Sequence, residues 1–376
     1  MRRRMSRTVP VVVFAGTAAV LGAVIAVAPA GAGAAPAVNT AAAPAWGGPL
    51  TARTVLSGNS LGLTKPDDLT QLDGRLFTAF QNGVPSTGGT AGTPTQSTVV
   101  EFTLDGKVVR RWQITGKVDG MTADQDRHQL IATVNEDGNT SLYTIPVNGG
   151  GAPKNYHYDA NPMPHGGGTD SIAFYRGAMY ISASAPATSQ FGPAVYQVSL
   201  SGNVAKLTAA PFYDSSQATV ANDGHHATVN LALTDPDSST IVPESSPRFG
   251  GDFNLDSQGD QQELYVSHLG TDQQQLNVLN LSQAVDDTAW ATNRTGTLVT
   301  TDSADDSIIA VTGGFTPGTA YTTVTPAGAN NAPANPGPNY LGSINLRTGT
   351  VSPVNTGGTA FQPNGLLFVA DPAGRG

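Results

Sequence analysis

One short acidic phrase recurs along the chain. Pro66-Asp67-Asp68-Leu69, followed by Gly74-Arg75-Leu76-Phe77, returns as Val118-Asp119-Gly120-Met121 with Gln129-Leu130-Ile131-Ala132. It returns again as Thr169-Asp170-Ser171-Ile172 with Ala178-Met179-Tyr180-Ile181. Gly251-Asp252-Phe253 with Glu263-Leu264-Tyr265-Val266, and Asp287-Thr288-Ala289-Trp290 with Gly296-Thr297-Leu298-Val299, read as later copies. Pro363-Asn364-Gly365-Leu366-Leu367-Phe368-Val369 is a shortened last one. A unit this small cannot bury its apolar face alone and must stack on its neighbours, so the repeat constrains the fold more than any other feature.

Between the copies the pattern is all strand. Val99-Val100-Glu101-Phe102, Val108 to Ile114, Ala194 to Val198 and Leu276 to Leu281 are short and rich in β-branched residues. Asp105-Gly106 joins two of these runs as a two-residue hairpin turn, and Asp73-Gly74, Ser201-Gly202 and Thr348-Gly349 repeat that chemistry. The rhythm predicts four-stranded antiparallel blades in a single all-β propeller over 51–376. The first steps between copies are 52 and 51 residues. Later ones are irregular: a degenerate copy starts near Ser216-Gln217-Ala218, and an insert runs from Thr325 to Pro338. Six to seven blades fit, seven when the degenerate and truncated copies are counted. Thr51 to Leu56 and Leu366 to Ala370 flank the repeats and suit one shared closing blade.

Residues 1–37 carry Arg2, Arg3, Arg4 and Arg7, an apolar run and small residues in A-x-A arrangements, the pattern of a secretory signal peptide. Residues 38–50 are an Ala/Pro-rich, flexible lead-in. The expectation is a secreted, extracellular protein with no stable membrane span once the signal is removed. Cysteine is absent, so no disulfide braces the fold. The chain carries a formal charge of -9, and no acidic residue lies in 1–37, so the remainder is more acidic still. That balance excludes nucleic acid as a partner held by general electrostatics.

The phrases at 66, 118 and 363 resemble the P-D/N-G-hydrophobic repeat of NHL-type propellers and of the related gluconolactonase/senescence-marker superfamily. Thr300-Thr301-Asp302-Ser303-Ala304-Asp305-Asp306-Ser307-Ile308-Ile309 resembles a further stretch of an NHL repeat. The gluconolactonase resemblance implies a divalent metal in the central channel, held by Glu, Asp and Asn. Where that family takes its glutamate from Glu-Gly-Pro, this chain has Pro66-Asp67-Asp68. A resemblance to streptogramin-type lyases implies channel histidines, for which His165 and His268 are the candidates.

Asp67, Asp119, Asp170, Asp252 and Asn364 occupy similar repeat positions. Converging at a channel mouth, they suit a hard cation such as Ca²⁺ or Mg²⁺, or a carboxylate of raised pKa acting as general base. The same residue types also close their own turns by accepting backbone N–H groups. Gly58-Asn59-Ser60-Leu61-Gly62 and His165-Gly166-Gly167-Gly168 read as Gly-rich turns, and Asp256-Ser257-Gln258-Gly259-Asp260 with Glu263 as a solvated turn. Trp112, Trp290 and Phe361 read as packing between blades. Three functions follow as expectations: a scaffold binding a small molecule, glycan or extracellular protein at the channel mouth; a metal-assisted, lactonase-like hydrolase; and a lyase using His165 or His268.

Overall fold

The computed structural model describes residues 48–186, 192–325 and 338–371. The expected signal peptide, nearly all of the lead-in and most of the Thr325 to Pro338 insert lie outside them. Strands dominate, and helix is limited to 3-10 turns such as Asn59–Leu61 and Gln258–Asp260. Among the described residues no helix is long and apolar enough to cross a membrane.

The strands group into six antiparallel units, each with four strands from the centre outwards. Sheet I is Pro66–Leu72, Arg75–Phe80, Gln96–Phe102 and Val108–Thr115. Sheet II is Val118–Asp124, Gln129–Val134, Ser141–Pro146 and Lys154–Tyr158. Sheet III is Thr169–Tyr175, Ala178–Ala183, Val195–Ser201 and Val204–Ala209. Sheet IV is Pro236–Ile241, Phe253–Ser257, Gln262–Ser267 and Gln275–Asn280. Sheet V is Val285–Trp290, Ala320–Val324, Tyr340–Ile344 and Val351–Pro353. Sheet VI is Pro363–Ala370, Gly296–Asp302, Ser307–Thr312 and Leu50–Ser57. Sheets II and III are fused at their outer strands by a short parallel pairing, Val204 with His157.

The first strands of these units touch in a closed cycle, I to II to III to IV to V to VI and back to I. One apolar core fills each gap of the ring. Phe77, Val99 and Trp112 of sheet I meet Met121 and Leu130 of sheet II. Tyr180 and Val195 of sheet III meet Phe253 and Leu264 of sheet IV. Val299 and Ile308 of sheet VI meet Leu69 and Phe80 of sheet I, which completes the circle. Sheets stacked face to face around an axis, with their inner strands lining it, make a β-propeller. Trp112 and Trp290 are buried in these gaps, and Phe361 packs against one, as expected.

Every inner strand begins with the same irregularity. Its first and fourth residues pair with residues only two apart on the second strand: Pro66 and Leu69 with Phe80 and Thr78, Val118 and Met121 with Val134 and Ala132. Sheets III, IV, V and VI repeat the offset. One extra residue is therefore bulged at the mouth in each sheet, which leaves backbone groups off the ladder. In three of the sheets a threonine on the second strand accepts from such a group: Thr133 from Gly120 N at 3.0 Å, Thr301 from Gly365 N at 2.8 Å, and Thr323 from Asp287 N at 3.0 Å.

Two features depart from expectation. The degenerate copy near Ser216 builds no sheet of its own. Gln217–Val220 instead adds to the outer edge of sheet IV by parallel pairing with Gln275–Asn280, and Thr228–Asn230 pairs beyond it. The second is an exchange of strands. Val285–Trp290 does not form a hairpin with Gly296–Asp302; it pairs with Ala320–Val324. The hairpin Gly296–Asp302 with Ser307–Thr312 crosses into sheet VI, between Pro363–Ala370 and Leu50–Ser57. The N-terminal and C-terminal strands thus share one sheet, which leaves neither as a lone edge.

Candidate functional site: an acidic channel mouth

The second residue of each inner strand is Asp67, Asp119, Asp170, Asp237, Asp286 or Asn364, and all six line one cavity of about 330 Å³ at the mouth of the channel. The bulge turns this position towards the axis while the fourth residues (Leu69, Met121, Ile172, Ser239, Thr288 and Leu366) line a second cavity further in. Around the ring stand Asp68, Asp287, Glu136 and Asp235, with Lys65 and Lys117 on one side. Nine carboxyl groups therefore face two ammonium groups.

Two carboxamides clamp the acids in pairs. Gln81, which follows the second strand of sheet I, donates from Nε2 to Asp67 Oδ2 at 2.6 Å and to Asp119 Oδ1 at 3.3 Å. Gln258 holds the equivalent place in sheet IV and donates to Asp237 Oδ2 at 3.1 Å and Asp286 Oδ1 at 2.8 Å. Asn364 donates to Asp67 Oδ1 at 2.7 Å. Lys117 meets Asp119 at 3.2 Å and also Glu136. Asp119 is buried, and its Oδ2 has no hydrogen-bond donor against it.

In sheets I and V the third position ties the inner strand to the next one. Asp68 Oδ2 accepts from Met121 N, and Asp287 Oδ2 accepts from Leu366 N, each at 2.6 Å. The receiving strand has glycine at its own third position in both cases. A Cβ on Gly120 would lie 2.2 Å from the Asp170 carbonyl oxygen, and one on Gly365 would lie 2.6 Å from that of Asp67. Only glycine admits so close an approach.

Burial, with like charge close by, raises several of these carboxyl groups above their ordinary titration. Burial pushes Asp67 up to about 7; Lys117 pulls against it, while Asp286 and Glu136 add to it. Burial likewise takes Asp287 up to about 7, opposed by the Leu366 N–H. Asp68, Asp119, Asp170 and Asp237 are held well above the usual carboxylate range by burial and then by neighbouring carboxylates. Burial pulls Lys117 down, but Asp119, Glu136 and Asp67 outweigh it and keep the ammonium firmly charged.

Of the residues nominated from sequence, Asp67, Asp119, Asp170 and Asn364 come together here. Asp252 does not. It precedes the second strand of sheet IV, whose far end, Ser257, is the one paired with Pro236 at the mouth. Asp237 fills the place given to it. His165 is fully buried: one ring nitrogen lies 2.7 Å from Tyr196 Oη and the other 2.8 Å from the Gly168 carbonyl, and burial lowers its pKa to about 4. His268 is exposed, in a left-handed turn after the third strand of sheet IV. Neither histidine lines the mouth cavity. Asp237 and Asp286 were missed, although Pro236-Asp237-Ser238 and Val285-Asp286-Asp287 carry the same phrase.

Among the described residues, no three histidine, aspartate or glutamate side chains form a group able to hold one metal ion. The ring surrounds room for a small molecule rather than closing on a point.

No protein-family model matches the chain, and no curated protein does. Among solved structures it is similar to the periplasmic gluconolactonase of Pseudomonas aeruginosa, at 15% identity over 82% of this chain and 89% of that one, with a TM-score of 0.40. It is similar to a putative gluconolactonase at 11% identity over 88% and 93%, TM-score 0.45. A putative 6-phosphogluconolactonase from Bacteroides uniformis gives 9% identity over 79% and 85%, TM-score 0.38.

Proposed function

We propose that the six sheets are the blades of one six-bladed propeller, and that its acidic mouth binds a compact ligand that is positively charged and hydroxyl-rich. The observation that carries this is the excess of nine carboxyl groups over two lysines around a cavity of about 330 Å³. Packed carboxylates repel one another, and a bound cation relieves that repulsion while its hydroxyl groups meet the remaining oxygens. Binding through an apolar face has less to support it, since Val109 and Tyr213 are the large apolar side chains exposed among the described residues. The test is calorimetric titration with a polyamine, an amino sugar, a neutral sugar, CaCl₂ and MgCl₂. The cationic compounds are expected to bind, more weakly at high salt, and Asp170→Asn to weaken them about tenfold. No heat from any compound would end this proposal.

A second reading is a lactonase-like hydrolase. Asp67 and Asp287, both near 7, suit proton transfer at neutral pH. Turnover of simple lactones, with and without chelator, decides it; folded protein without turnover leaves binding alone. Export is part of the same proposal: protein recovered from culture medium should lack residues 1–37.

A further inference from the structure

We propose that sheets IV and V enclose a second site, distinct from the mouth, that holds one hard divalent cation through Asn254, Asp256 and Glu263. The strand Phe253–Ser257 alternates apolar and polar residues, as a half-exposed strand does, yet all five residues are buried. Its apolar face, Phe253 and Leu255, packs towards sheet III. Asn254 and Asp256 point the other way. They pair directly with Tyr265 and Glu263 on the next strand. Tyr265 belongs to the core between sheets IV and V, and Glu263 Oε1 accepts from Thr288 of sheet V at 2.7 Å. The loop from Asp256 to Glu263 is therefore not the solvated turn expected from sequence, for both acids are fully buried.

The other five sheets supply an internal comparison. Where sheet IV pairs Asp256 with Glu263, the same register pairs Ala79 with Val99, Thr133 with Leu142, Ser182 with Val195, Thr323 with Leu341 and Thr301 with Ile308. Where sheet IV has Asn254, the others have Phe77, Ile131, Tyr180, Tyr321 and Val299. One sheet of six thus replaces an apolar or hydroxyl layer by two carboxylates and a carboxamide.

Three of these oxygens lack partners, while both oxygens of Glu263 accept hydrogen bonds. Both carboxylate oxygens of Asp256 and Oδ1 of Asn254 are buried with no hydrogen bond; the Asn254 amide nitrogen is turned to Glu263 and to the Leu264 carbonyl at 3.2 Å. Among the described residues no lysine, arginine or histidine forms an ion pair with Asp256 or Glu263. Buried, unpaired carboxylates cost several kcal/mol each unless neutralised. Oxygen donors of this hardness, with two negative charges, suit Ca²⁺ or Mg²⁺. The alternative is a pair that stays protonated. Burial first, then Glu263, pushes Asp256 well above the usual range.

The full-length protein, refolded in CaCl₂ or MgCl₂ and dialysed against chelator, should retain about one ion per chain, released only on unfolding because the site is sealed. Refolding without divalent cations should lower Tm by several degrees. Asp256→Thr with Glu263→Leu gives sheet IV the pair found in sheets II and V; it should carry no ion and show no cation-dependent Tm, with ligand binding at the mouth retained. The inference is overturned by wild-type protein that carries no ion after refolding in either salt and has the same Tm with and without it. A double variant more stable than such metal-free wild type at pH 8 would assign the pair to a shared proton.

Discussion

Asn364 donates from Nδ2 to Asp67 Oδ1, joining the last inner strand of the ring to the first. Asparagine is the one neutral member of the six, and it stands where a sixth carboxylate would face Asp67. Asn364→Asp removes a donor and adds a like charge. It should destabilise the protein by about 1–3 kcal/mol at pH 8 and by much less at pH 5, read from urea unfolding at the two pH values.

The bonds from Asp68 to Met121 N and from Asp287 to Leu366 N link neighbouring blades at the same register. Asp68→Ala or Asp287→Ala leaves a buried N–H without an acceptor, at about 1–3 kcal/mol each. Gly120→Ala is expected to cost at least as much, since its Cβ meets the Asp170 carbonyl. Equilibrium denaturation of the three variants checks both statements.

Asp67 and Asp287 titrate near 7 in the folded protein, above the ordinary carboxylate value. A carboxyl raised on folding stabilises fully below its unfolded pKa, and that contribution is lost as pH rises through the folded one. Tm should therefore fall between about pH 4 and pH 7, by an amount corresponding to a few kcal/mol. A cationic ligand at the mouth should flatten the slope. A Tm that rises across this window would contradict the electrostatic account of the mouth.

Both nitrogens of His165 are engaged and its pKa lies near 4. Between pH 5 and 8 the ring stays neutral. His165→Phe should lower stability by about 1–3 kcal/mol through the loss of two buried bonds. Any activity found for the protein should keep its pH profile in this variant, measured by initial rates across that range.

Leu50–Ser57 covers Ser307–Thr312 along its length, and the short strand Thr356–Gly358 pairs with its first residues on the outer side. A chain starting at residue 58 exposes that apolar strand as a bare edge. It should aggregate at concentrations where the intact protein is monodisperse, as light scattering would show.

The inner-strand phrase was legible in sequence because a bulged mouth selects for it: a polar residue turned to the axis, then a small or acidic one that fits the neighbouring backbone. Asp67, Asp119, Asp170 and Asn364 were found in this way. Pro236-Asp237-Ser238 was passed over because residues 242–252, rather than a tight turn, separate its strand from the next. Asp252, beside a strong strand signal, took its place. The exchange at sheet V was not legible at all, since adjacency in sequence favours a hairpin between Val285–Trp290 and Gly296–Asp302. Nor was burial of Asp256 and Glu263, because a strand enclosed on both faces reads as half-exposed when one face is polar.

The hairpin Gly296–Thr312 belongs to sheet VI but is made before sheet V is complete, and Pro363–Ala370 is made after both. During synthesis Leu50–Ser57 emerges first and waits for a partner near the far end of the chain. Sheets V and VI must therefore be assembled together, and the six-membered mouth exists only once residue 364 has been added. A ribosome stalled just before this strand releases every other strand of the six sheets and no closed ring, which ties assembly of the mouth to synthesis of the last inner strand.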